Sequence, residues 1–301
     1  MRGTREQIEL PSGHSFRVLR WTRTVREVET LYGQGSNARL KGEGDHWHYH
    51  AAMELTLFTS GDGTRFVGDH IAPFCGGDLV LLGEKLPHYW HTRGASSGIS
   101  VQWDFPNGHP FWTFPESHAA GSLFQSAGRG LRFTGSTAGI LRAGLHSLGS
   151  SHGLDRLGLL FRVFALMTAA PEIDRVALST QTFALSIRSA HQLAISEAVR
   201  HLLTNFREEI RLEEVLKLTG MSKPTFSRQF KKHSGKTFSD FLSQIRLQAA
   251  CRDLIETECS VLEIALSSGY TQVSFFNRIF RRIFDCSPTQ YRERKRSAPS
   301  E

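Results

Sequence analysis

The sequence predicts two domains of different fold class: an N-terminal all-β domain, a jelly-roll-like barrel with a short α-helical linker, and a C-terminal all-α domain. Three features indicate this division. Short strand and turn patterns fill the segment before residue 106, helical periodicity continues after residue 190, and one short basic segment occurs twice in the second half. A chain of 301 residues is long enough for two such cores. We place the domains at residues 1–175 and 193–296, with a linker at 176–192.

The composition is that of a soluble globular protein, with 40% hydrophobic and 22% charged residues. No apolar run approaches the length of about 18 residues that a membrane-spanning helix needs. The first residues lack the apolar segment of a secretion signal. The four cysteines show no CxxC pairing, which favours free thiols in a reducing compartment. We therefore expect a cytoplasmic protein.

Positive charge is concentrated in the C-terminal third of the chain. Residues 193–296 contain 18 of the 36 Lys and Arg residues and 12 of the 29 Asp and Glu residues, a net charge of +6 out of +7 for the whole chain. A nucleic-acid partner would explain this concentration, and so would the solvated surface of an ordinary helical domain. Charge alone does not choose between these two interpretations.

Alternating apolar residues around glycine-rich turns indicate the N-terminal strands. The segment "ELTLFTSGDGTRFVG" predicts two strands joined by a Gly-Asp-Gly hairpin, and "GGDLVLLG" and "SGISVQWDF" predict two more. Several short strands at this spacing predict a sandwich or barrel. Between residues 111 and 190 we expect a Gly/Ser-rich loop region and one helix, "LDRLGLLFRVFALMTAA", ended by Pro171. Its apolar spacing suits packing on the barrel or a subunit interface, and packing is the preferred interpretation.

The helical half contains the same motif twice. The segments "EVLKLTG" and "EIALSSG" are short amphipathic helices that end at glycine, and each precedes a turn and a second helix. This order of elements is typical of a helix-turn-helix motif. The sequence therefore predicts two such motifs, at residues 212–234 and 261–284.

Each second helix has one apolar and one basic face. Two phenylalanines four residues apart make the apolar stripe, Phe226 with Phe230 and Phe276 with Phe280. Arg on the opposite face suits guanine, Asn suits adenine, and Lys suits phosphate. A single such helix is more often a solvated surface, but two equivalent copies favour DNA binding. The candidate DNA-binding residues are Lys223, Pro224, Thr225, Ser227, Arg228, Lys231 and Lys232 in the first copy, and Gln272, Ser274, Asn277, Arg278, Arg281 and Arg282 in the second.

The segment between the two copies predicts a long helix. "TFSDFLSQIRLQAACRDLIE" opens with a capping-box pattern, Thr237-x-x-Asp240, and the next helix has its own, Ser260-x-x-Glu263. About 20 helical residues span about 30 Å. Adjacent major-groove faces on one side of B-DNA lie about 34 Å apart. A rigid helix of this length can therefore hold two recognition helices in successive groove segments.

These segments resemble the AraC/XylS class of bacterial transcriptional regulators. The resemblance covers residues 195–292 and is closest in "FSRQFKKHSG", "RLQAA", "EIALSSGY" and "SPTQYR". It implies a seven-helix domain with both recognition helices on one face of the operator, activation through RNA polymerase, and a homodimer. By position it implies base contacts from Pro224, Ser227, Arg228, Ser274, Asn277 and Arg278. Two residues depart from the family pattern: Leu216 replaces a small residue, and Pro224 cannot hydrogen-bond a base.

A histidine cluster stands out in the N-terminal half. In "GEGDHWHYHAAMELTLFTSG", His48, His50 and Glu54 have the same parity on a strand, and His88 follows a later strand and turn. Three imidazoles and a carboxylate are a plausible ligand set for Zn, Fe, Mn or Ni. Alternatively, the four side chains line an effector pocket or make structural hydrogen bonds without a metal.

The spacing of these residues resembles the cupins. The first cupin motif, G-x5-H-x-H-x3-E-x6-G, matches from Gly42 to Gly61. The second begins at Gly77 and ends at His88, but Gly83 and Lys85 stand where the family favours Pro and Gly. The resemblance implies a barrel whose interior is the effector site. Five aromatic residues near the motif suit a sugar or another small polar molecule: Trp47, Tyr49, Tyr89, Trp90 and Trp103.

These observations favour a non-enzymatic, ligand-responsive transcriptional regulator that binds double-stranded operator DNA. No catalytic residue is assigned. The alternatives are a cupin metalloenzyme fused to a DNA-binding domain, for which the four potential metal ligands argue, and a DNA-binding protein without sequence preference.

Overall fold

The computed structural model describes residues 8, 10, 13–33, 35–41, 44, 46–186 and 189–297. They form two compact units, one ending at Leu193 and the other beginning at Ala194. Gly42, at which the predicted histidine motif begins, lies outside the described residues. Across the described ranges, no helix has the length and apolar content needed to cross a bilayer.

The described part of the first unit contains eleven strands and three α-helices. The strands are β1 (Phe16–Trp21), β2 (Glu27–Gly33), β3 (Ser36–Lys41), β4 (Met53–Ser60), β5 (Asp62–Val67), β6 (His70–Cys75), β7 (Leu79–Leu82), β8 (His88–Thr92), β9 (Ser97–Trp103), β10 (Leu131–Phe133) and β11 (Arg175–Ala177). The helices are α1 (Ala119–Ser126), α2 (Gly135–Ser150) and α3 (Gly153–Thr168).

The strands form two antiparallel sheets. The large sheet has the order β11-β10-β7-β4-β9-β1-β2-β3, and the small sheet has the order β6-β5-β8. Within the described residues neither sheet closes on itself, so the predicted barrel is replaced by two open sheets. Buried side chains of both sheets pack between them. His48, in the segment before β4, forms an isolated bridge with His88 of β8. The unit is β-rich but not all-β, because its helices are part of the fold.

The central strands of the large sheet are buried on both faces, whereas its edge strands β3 and β11 are largely exposed. Along β1, Phe16 and Val18 pack into a core shared with α2 and α3, whereas Leu19 and Trp21 pack into a second core shared with the small sheet. Strands covered on both faces need near-continuous apolar runs. This requirement explains "LVLL" in β7, in which all four residues are buried.

The segment from residue 111 to residue 190 is more helical than its sequence predicts. The expected helix is confirmed as α3, but α1 and α2 lie where we expected loops. Glycine-rich α2 has low intrinsic helix propensity. It is stabilised by tertiary packing, because Leu141, Leu145 and Leu148 are fully buried. A Cβ on Gly149 would lie 3.3 Å from Leu31 and Ile99, so glycine allows α2 to approach the sheet closely.

The expected linker, residues 176–192, is mostly irregular where the structure describes it, and its last residue, Gln192, begins α4. Residues 178–186 have no regular secondary structure, and β11 precedes them. Asp69 holds this stretch by accepting hydrogen bonds from the backbone N–H of Thr180 and the hydroxyl of Ser179, at 2.8 and 2.7 Å. These contacts explain why the first compact unit extends to Leu193.

The helical half contains seven helices within the described residues, as the family resemblance implies. They are α4 (Gln192–Asn205), α5 (Leu212–Thr219), α6 (Lys223–Ser234), α7 (Phe238–Glu256), α8 (Val261–Ser267), α9 (Val273–Phe284) and α10 (Pro288–Ser297).

Both predicted helix-turn-helix motifs are present, as α5–α6 and α8–α9, and the predicted central helix is α7. Its 19 residues correspond to a length of about 29 Å. At its start the Thr237 hydroxyl accepts a hydrogen bond from the backbone N–H of Asp240 at 3.2 Å. Ser260 and Glu263 form a full capping box at α8. The local signals that we read from the sequence therefore define these helix starts.

Candidate nucleic-acid interface and histidine site

Glycine shapes the turn in both helix-turn-helix motifs. Gly220 ends α5 with φ +65°, and Gly269 follows α8 with φ +89°, a region that glycine adopts without strain. A Cβ on Gly269 would lie 2.4 Å from the carbonyl oxygen of Phe206. The two turns therefore require glycine for different reasons, and each sets the direction of the helix that follows.

The apolar faces of α6 and α9 anchor the two helices. Phe226, Phe230, Phe276 and Phe280 are all fully buried. Their rings lie 5.3 Å apart in the first pair and 5.5 Å apart in the second. The predicted stripes are therefore confirmed, and they fix which side of each helix is available to a partner.

The predicted DNA-binding residues lie on the available sides. Thr225 in α6 and Asn277 in α9 are half-buried. The remaining candidates are exposed: Lys223, Pro224, Ser227, Arg228, Lys231, Lys232, Gln272, Ser274, Arg278, Arg281 and Arg282. None of the seven cations among them forms an ion pair with another described residue. Their charges are thus not neutralised within the described structure.

Other arginines of the same unit serve the fold. Arg246 donates to the carbonyl oxygens of Phe206 and Glu208, both at 2.7 Å. Arg292 donates to the carbonyl oxygen of Leu254 at 3.1 Å, near the end of α7. Such contacts satisfy carbonyl groups that helix ends leave without partners. The net charge therefore includes structural cations, which the sequence alone did not separate from the exposed ones.

One exposed aromatic residue of α9 was missed by the sequence analysis. Phe275 is 42% exposed, and the Arg278 guanidinium lies 5.3 Å from its ring centroid. A cation–π contact of this kind restrains the arginine side chain. The signal in the sequence was present, because Phe275 lies outside the spacing of the buried stripe and three residues before Arg278.

The three histidines of the N-terminal cluster come together in the interior. Candidate ligand atoms of His48, His50 and His88 all lie within 4.8 Å of one another, and all three residues are buried. His48 bridges to His88, whereas His50 lies between that bridge and β4. Residues 40 positions apart in sequence thus share one small volume.

Backbone carbonyl groups orient all three imidazoles. Nδ1 of His48 lies 2.6 Å from the carbonyl oxygen of His46, Nδ1 of His50 lies 2.9 Å from that of Ala52, and Nδ1 of His88 lies 2.8 Å from that of Leu86. A carbonyl oxygen only accepts, so each Nδ1 carries a proton, which leaves Nε2 as the atom of each ring that can meet a ligand or, in His50, Glu54. The Nε2 atom of His88 is buried and has no hydrogen-bond partner among the described residues.

Glu54 contacts the cluster from β4. Its Oε2 atom lies 3.1 Å from His50 Nε2 and 3.9 Å from His88 Nε2, and it accepts a 2.6 Å hydrogen bond from Gln102. Its Oε1 atom accepts from Ser100 at 3.1 Å and from Thr56. Gln102, Ser100 and Thr56 were not predicted, although their alternate positions along β9 and β4 were a usable signal.

Burial and neighbouring charges set the protonation of this site. Burial raises the pKa of Glu54, but the hydrogen bond with His50 and the electrostatic interactions with the His88 and His50 imidazoles outweigh it and leave the pKa well below its usual value. Burial and the neighbouring imidazoles lower the pKa of His88 to about 3. At neutral pH the site therefore holds an ionised carboxylate and a neutral His88, the forms that bind metal ions.

The free space beside the histidines is small. It measures about 50 Å³ and is lined by His48, Glu54 and His88 together with apolar and aromatic side chains. Of the five predicted aromatic residues, Tyr89 and Trp90 line this space. Trp47, Tyr49 and Trp103 do not. Trp103 lies on the other face of the large sheet, where its ring is 4.8 Å from that of Phe164.

The two departures from the second cupin motif have different structural meanings. Gly83 packs so closely that a Cβ would lie 2.6 Å from the backbone of Ala127 and Gly128. Lys85 has φ +58°, the left-handed region in which glycine is favoured. The backbone at position 85 therefore keeps a conformation that suits glycine, but its side chain is a lysine.

Comparisons with known proteins concern about a third of the chain. Residues 215–294 match a family described as a helix-turn-helix domain. The chain is 32% identical over 105 residues to the regulatory protein SoxS of Escherichia coli strain K12, a match that covers 35% of this chain and 98% of SoxS. It is 27% identical over 106 residues to the xylose operon regulatory protein of the same strain, covering 35% of this chain and 27% of that protein.

Two solved structures are similar over a comparable share. One is the DNA-binding domain of AdpA in complex with a target DNA, with 29% identity, 35% of this chain and 94% of that chain covered, and a TM-score of 0.34. The other is a transcriptional regulator with an AraC-type DNA-binding domain from Chromobacterium violaceum, with 27% identity, coverage of 36% and 96%, and a TM-score of 0.34.

Proposed function

The chain belongs to the AraC/XylS family of helix-turn-helix transcriptional regulators, and from this premise we propose that it binds a specific operator through α6 and α9 and responds to a small molecule held by its N-terminal unit. One observation carries the DNA-binding part of this proposal. Seven cations that pair with no acidic group among the described residues lie on two equivalent helices, and α7, about 29 Å long, separates those helices in the chain. Adjacent major-groove segments repeat about every 34 Å, close to this length.

The residues divide into base readers and phosphate contacts. Arg228 and Arg278 are suited to guanine, and Asn277 is suited to adenine. Lys231, Lys232, Arg281 and Arg282 are suited to phosphates, which position the protein on the duplex. Pro224 has no polar side chain, so contacts to phosphate carry more of the first motif's binding than of the second's.

The test is a competition experiment with the full-length protein. Fluorescence anisotropy is measured on labelled DNA from upstream of the protein's own gene cluster, with unlabelled specific or random DNA as competitor. We expect random DNA to compete at least about a thousandfold less well than the specific site. Equal competition would support a DNA-binding protein without sequence preference and contradict this proposal.

A matched pair of variants locates the interface. Arg278→Ala removes an exposed cation of α9, and Arg211→Ala removes an exposed arginine that pairs with Glu209 outside the two recognition helices. We expect the first variant to bind the specific site more weakly and the second to bind like the wild type. If both variants bind like the wild type, the assignment of α9 as a reader is wrong.

We propose activation through contact with RNA polymerase and binding as a homodimer, both of which the family resemblance implies. The outer face of α3 supports the dimer, because Leu154, Phe161 and Ala165 are exposed at helical spacing. Leu154 is 84% exposed, which is unusual for so large an apolar side chain. Sedimentation analysis tests this proposal, and Leu154→Glu with Phe161→Glu should shift a dimer to a monomer.

The histidine site fits a divalent metal ion such as Zn, Fe, Mn or Ni. His48, His50 and His88 would hold it through Nε2, with Glu54 adjacent, and the observation that supports this is the buried Nε2 of His88 without a partner. When bound, the ion would supply a positive charge that balances Glu54 and joins β8 to the segment before β4. Elemental analysis of protein purified without chelator, compared with His88→Ala, tests it.

A sugar effector fits beside the histidines only if the interior space expands. The free space of about 50 Å³ is far below the 300–1,000 Å³ that is typical of small-molecule pockets. The same limit applies to the alternative of a cupin metalloenzyme, since its substrate would have to reach the histidines. Turnover by the metal-loaded protein would support that alternative.

A further inference from the structure

A much larger cavity lies elsewhere in the N-terminal unit. It is a cleft of about 900 Å³ where β4 begins, β9 ends and α1 packs against them. Its volume falls within the range of pockets that bind small organic molecules. Neither the histidines nor Glu54 line it, so it is separate from the interior space described above.

Aromatic side chains form one wall of the cleft. The rings of Phe124 and Trp112, both half-buried, lie 5.9 Å apart, and the fully buried ring of Trp103 lies 5.7 Å from that of Phe124. The Trp112 indole N–H donates to the carbonyl oxygen of Phe105 at 2.9 Å, which fixes the orientation of its ring. A rigid aromatic wall of this kind accommodates an apolar or aromatic group of a ligand.

Charged groups of both signs border the same cleft. Glu84 and Asp104 are exposed, and Lys85 is half-buried. Lys85 also occupies the left-handed backbone region, at φ +58°. A non-glycine residue in that region is strained, and such strain is typical of ligand-binding positions. Glycine would remove the strain, and the lysine instead adds an ammonium group at the edge of the cleft.

The loop that carries Lys85 connects the cleft to the histidine site. The backbone N–H of Lys85 donates to the carbonyl oxygen of His50 at 2.7 Å. The next residue, Leu86, provides the carbonyl oxygen that orients His88. On the other side, the N–H of Gly83 donates to the carbonyl oxygen of Ala127 at 2.8 Å, next to α1. A ligand that moves Lys85 therefore also moves the N–H group bonded to His50 and the neighbouring Leu86 carbonyl group that orients His88.

We propose that this cleft, rather than the interior, binds the small-molecule effector, and that the effector is a zwitterion with an apolar body, of the amino-acid type. Its carboxylate pairs with Lys85, its ammonium group pairs with Asp104 or Glu84, and its body packs on Trp112 and Phe124. A ligand with only a negative charge would be repelled by the carboxylates of Glu84 and Asp104. A ligand with only a positive charge would be repelled by Lys85. This inference rests on the proposed function, a regulator that responds to an effector.

The experiment titrates the full-length protein with four probes by calorimetry. The probes are L-phenylalanine, 3-phenylpropionate, which lacks the ammonium group, 2-phenylethylamine, which lacks the carboxylate, and D-xylose as a neutral sugar. We expect L-phenylalanine to bind at least about tenfold more tightly than each of the other three. Tighter binding of D-xylose or of a singly charged probe, or no L-phenylalanine binding at concentrations on the order of 10 mM, would overturn the inference.

Two substitutions at one position separate charge from folding. Lys85→Gly removes the ammonium group and relieves the backbone, so we expect an unchanged or higher melting temperature and at least about tenfold weaker L-phenylalanine binding. Lys85→Arg keeps both the charge and the strain, and we expect affinity within about threefold of the wild type. Undiminished binding by Lys85→Gly would contradict the assigned role.

Operator binding by the wild-type protein without any probe is measured in parallel. If the wild type shows no specific operator binding, the proposed function fails, whatever the titrations give. If operator binding is specific but L-phenylalanine has no advantage over the other probes, this inference alone fails. The two failures are therefore distinguishable.

Discussion

The two helix-turn-helix motifs are copies that agree in their cores and differ on their surfaces. Both bury a phenylalanine pair on the second helix and a branched aliphatic side chain on the first, Val215 or Ile264, beside which α8 also buries Ala265. Outside the core, α6 carries mainly lysines, whereas α9 carries three arginines and an asparagine. The shared positions maintain the fold, and the differing ones lie on the exposed surfaces.

The first helices of the two motifs, α5 and α8, also differ on their surfaces. On the outer side of α5 stand Glu213 and Lys217, a pair at i,i+4 spacing that suits solvent. The equivalent positions of α8 hold Leu262 and Leu266, which are 54% and 50% exposed. The cap differs too, because α8 has a capping box and α5 has no side-chain cap. Comparison of the two motifs thus distinguishes the positions that folding requires from the positions that are free to vary.

The largest expected effect tests the shared core. Phe230→Ala and Phe280→Ala each remove a fully buried ring, and we expect each to lower the free energy of unfolding of the C-terminal unit by about 3–5 kcal/mol. Chemical denaturation followed by circular dichroism measures this change. Phe275→Ala is the control, since its ring is 42% exposed, and it should cost far less. If Phe230→Ala and Phe280→Ala lower the free energy of unfolding by different amounts, the two cores are not equivalent.

The next effect separates the two reading surfaces. Arg228→Ala and Arg278→Ala should each weaken binding to the specific site by about 1–3 kcal/mol and relax base preference locally. We expect Arg278→Ala to cost more, because the contact with Phe275 restrains the Arg278 side chain. Anisotropy titrations on single-base operator variants check this. No change in affinity or preference for either variant would show that the reading faces are wrongly assigned.

The capping difference predicts an effect on stability alone. Ser260→Ala removes the hydroxyl that accepts from the Glu263 N–H, and we expect a loss of about 1 kcal/mol in the free energy of unfolding. Hydrogen bonds from Ser260 lower the pKa of Glu263. The ionised Glu263 side chain therefore stabilises the fold at pH values above the usual glutamate pKa. This stabilisation is lost as the pH falls through the lowered pKa of Glu263. Arg211→Ala at the N-cap of α5 is the comparison, with no side-chain cap to lose.

The smallest expected effect concerns phosphate contacts. Lys232→Ala should weaken binding to specific and random DNA alike and reduce the slope of log K against log salt by about one unit. Titrations at several salt concentrations measure the slope. If Lys232→Ala weakens binding to the specific site only, Lys232 is a base reader. The contrast between the lysines of α6 and the arginines of α9 would then not hold.

The helical half was the more predictable part of the molecule. Its periodicity, glycine turns and capping boxes are local signals, and each needs only neighbouring residues to act. Thr237, Ser260 and the four phenylalanines therefore behave in the structure as their spacing predicts. Phe275 and the structural arginines were missed, because their roles depend on contacts with residues outside their own motif.

The N-terminal half was predicted in composition but not in shape. Strand patterns identified β4, β5, β7 and β9, four of the eleven described strands, whereas the open sheets and the glycine-rich helix α2 depend on which faces meet in three dimensions. The position of Trp103 was wrong for the same reason. It lies in β9 with Gln102, but successive side chains of a strand point to opposite faces, so one enters the histidine site and the other packs on the helices.

The sequence by itself determined the family, the duplicated motif, the basic surfaces and the residue types of the histidine cluster, because all of these are encoded at short separations. Only the tertiary structure decided that three imidazoles converge with Nε2 inward, that the space beside them is about 50 Å³, and that Lys85 borders a cleft of about 900 Å³. Volumes and converging atoms result from packing between distant segments, and no local pattern of residues specifies them.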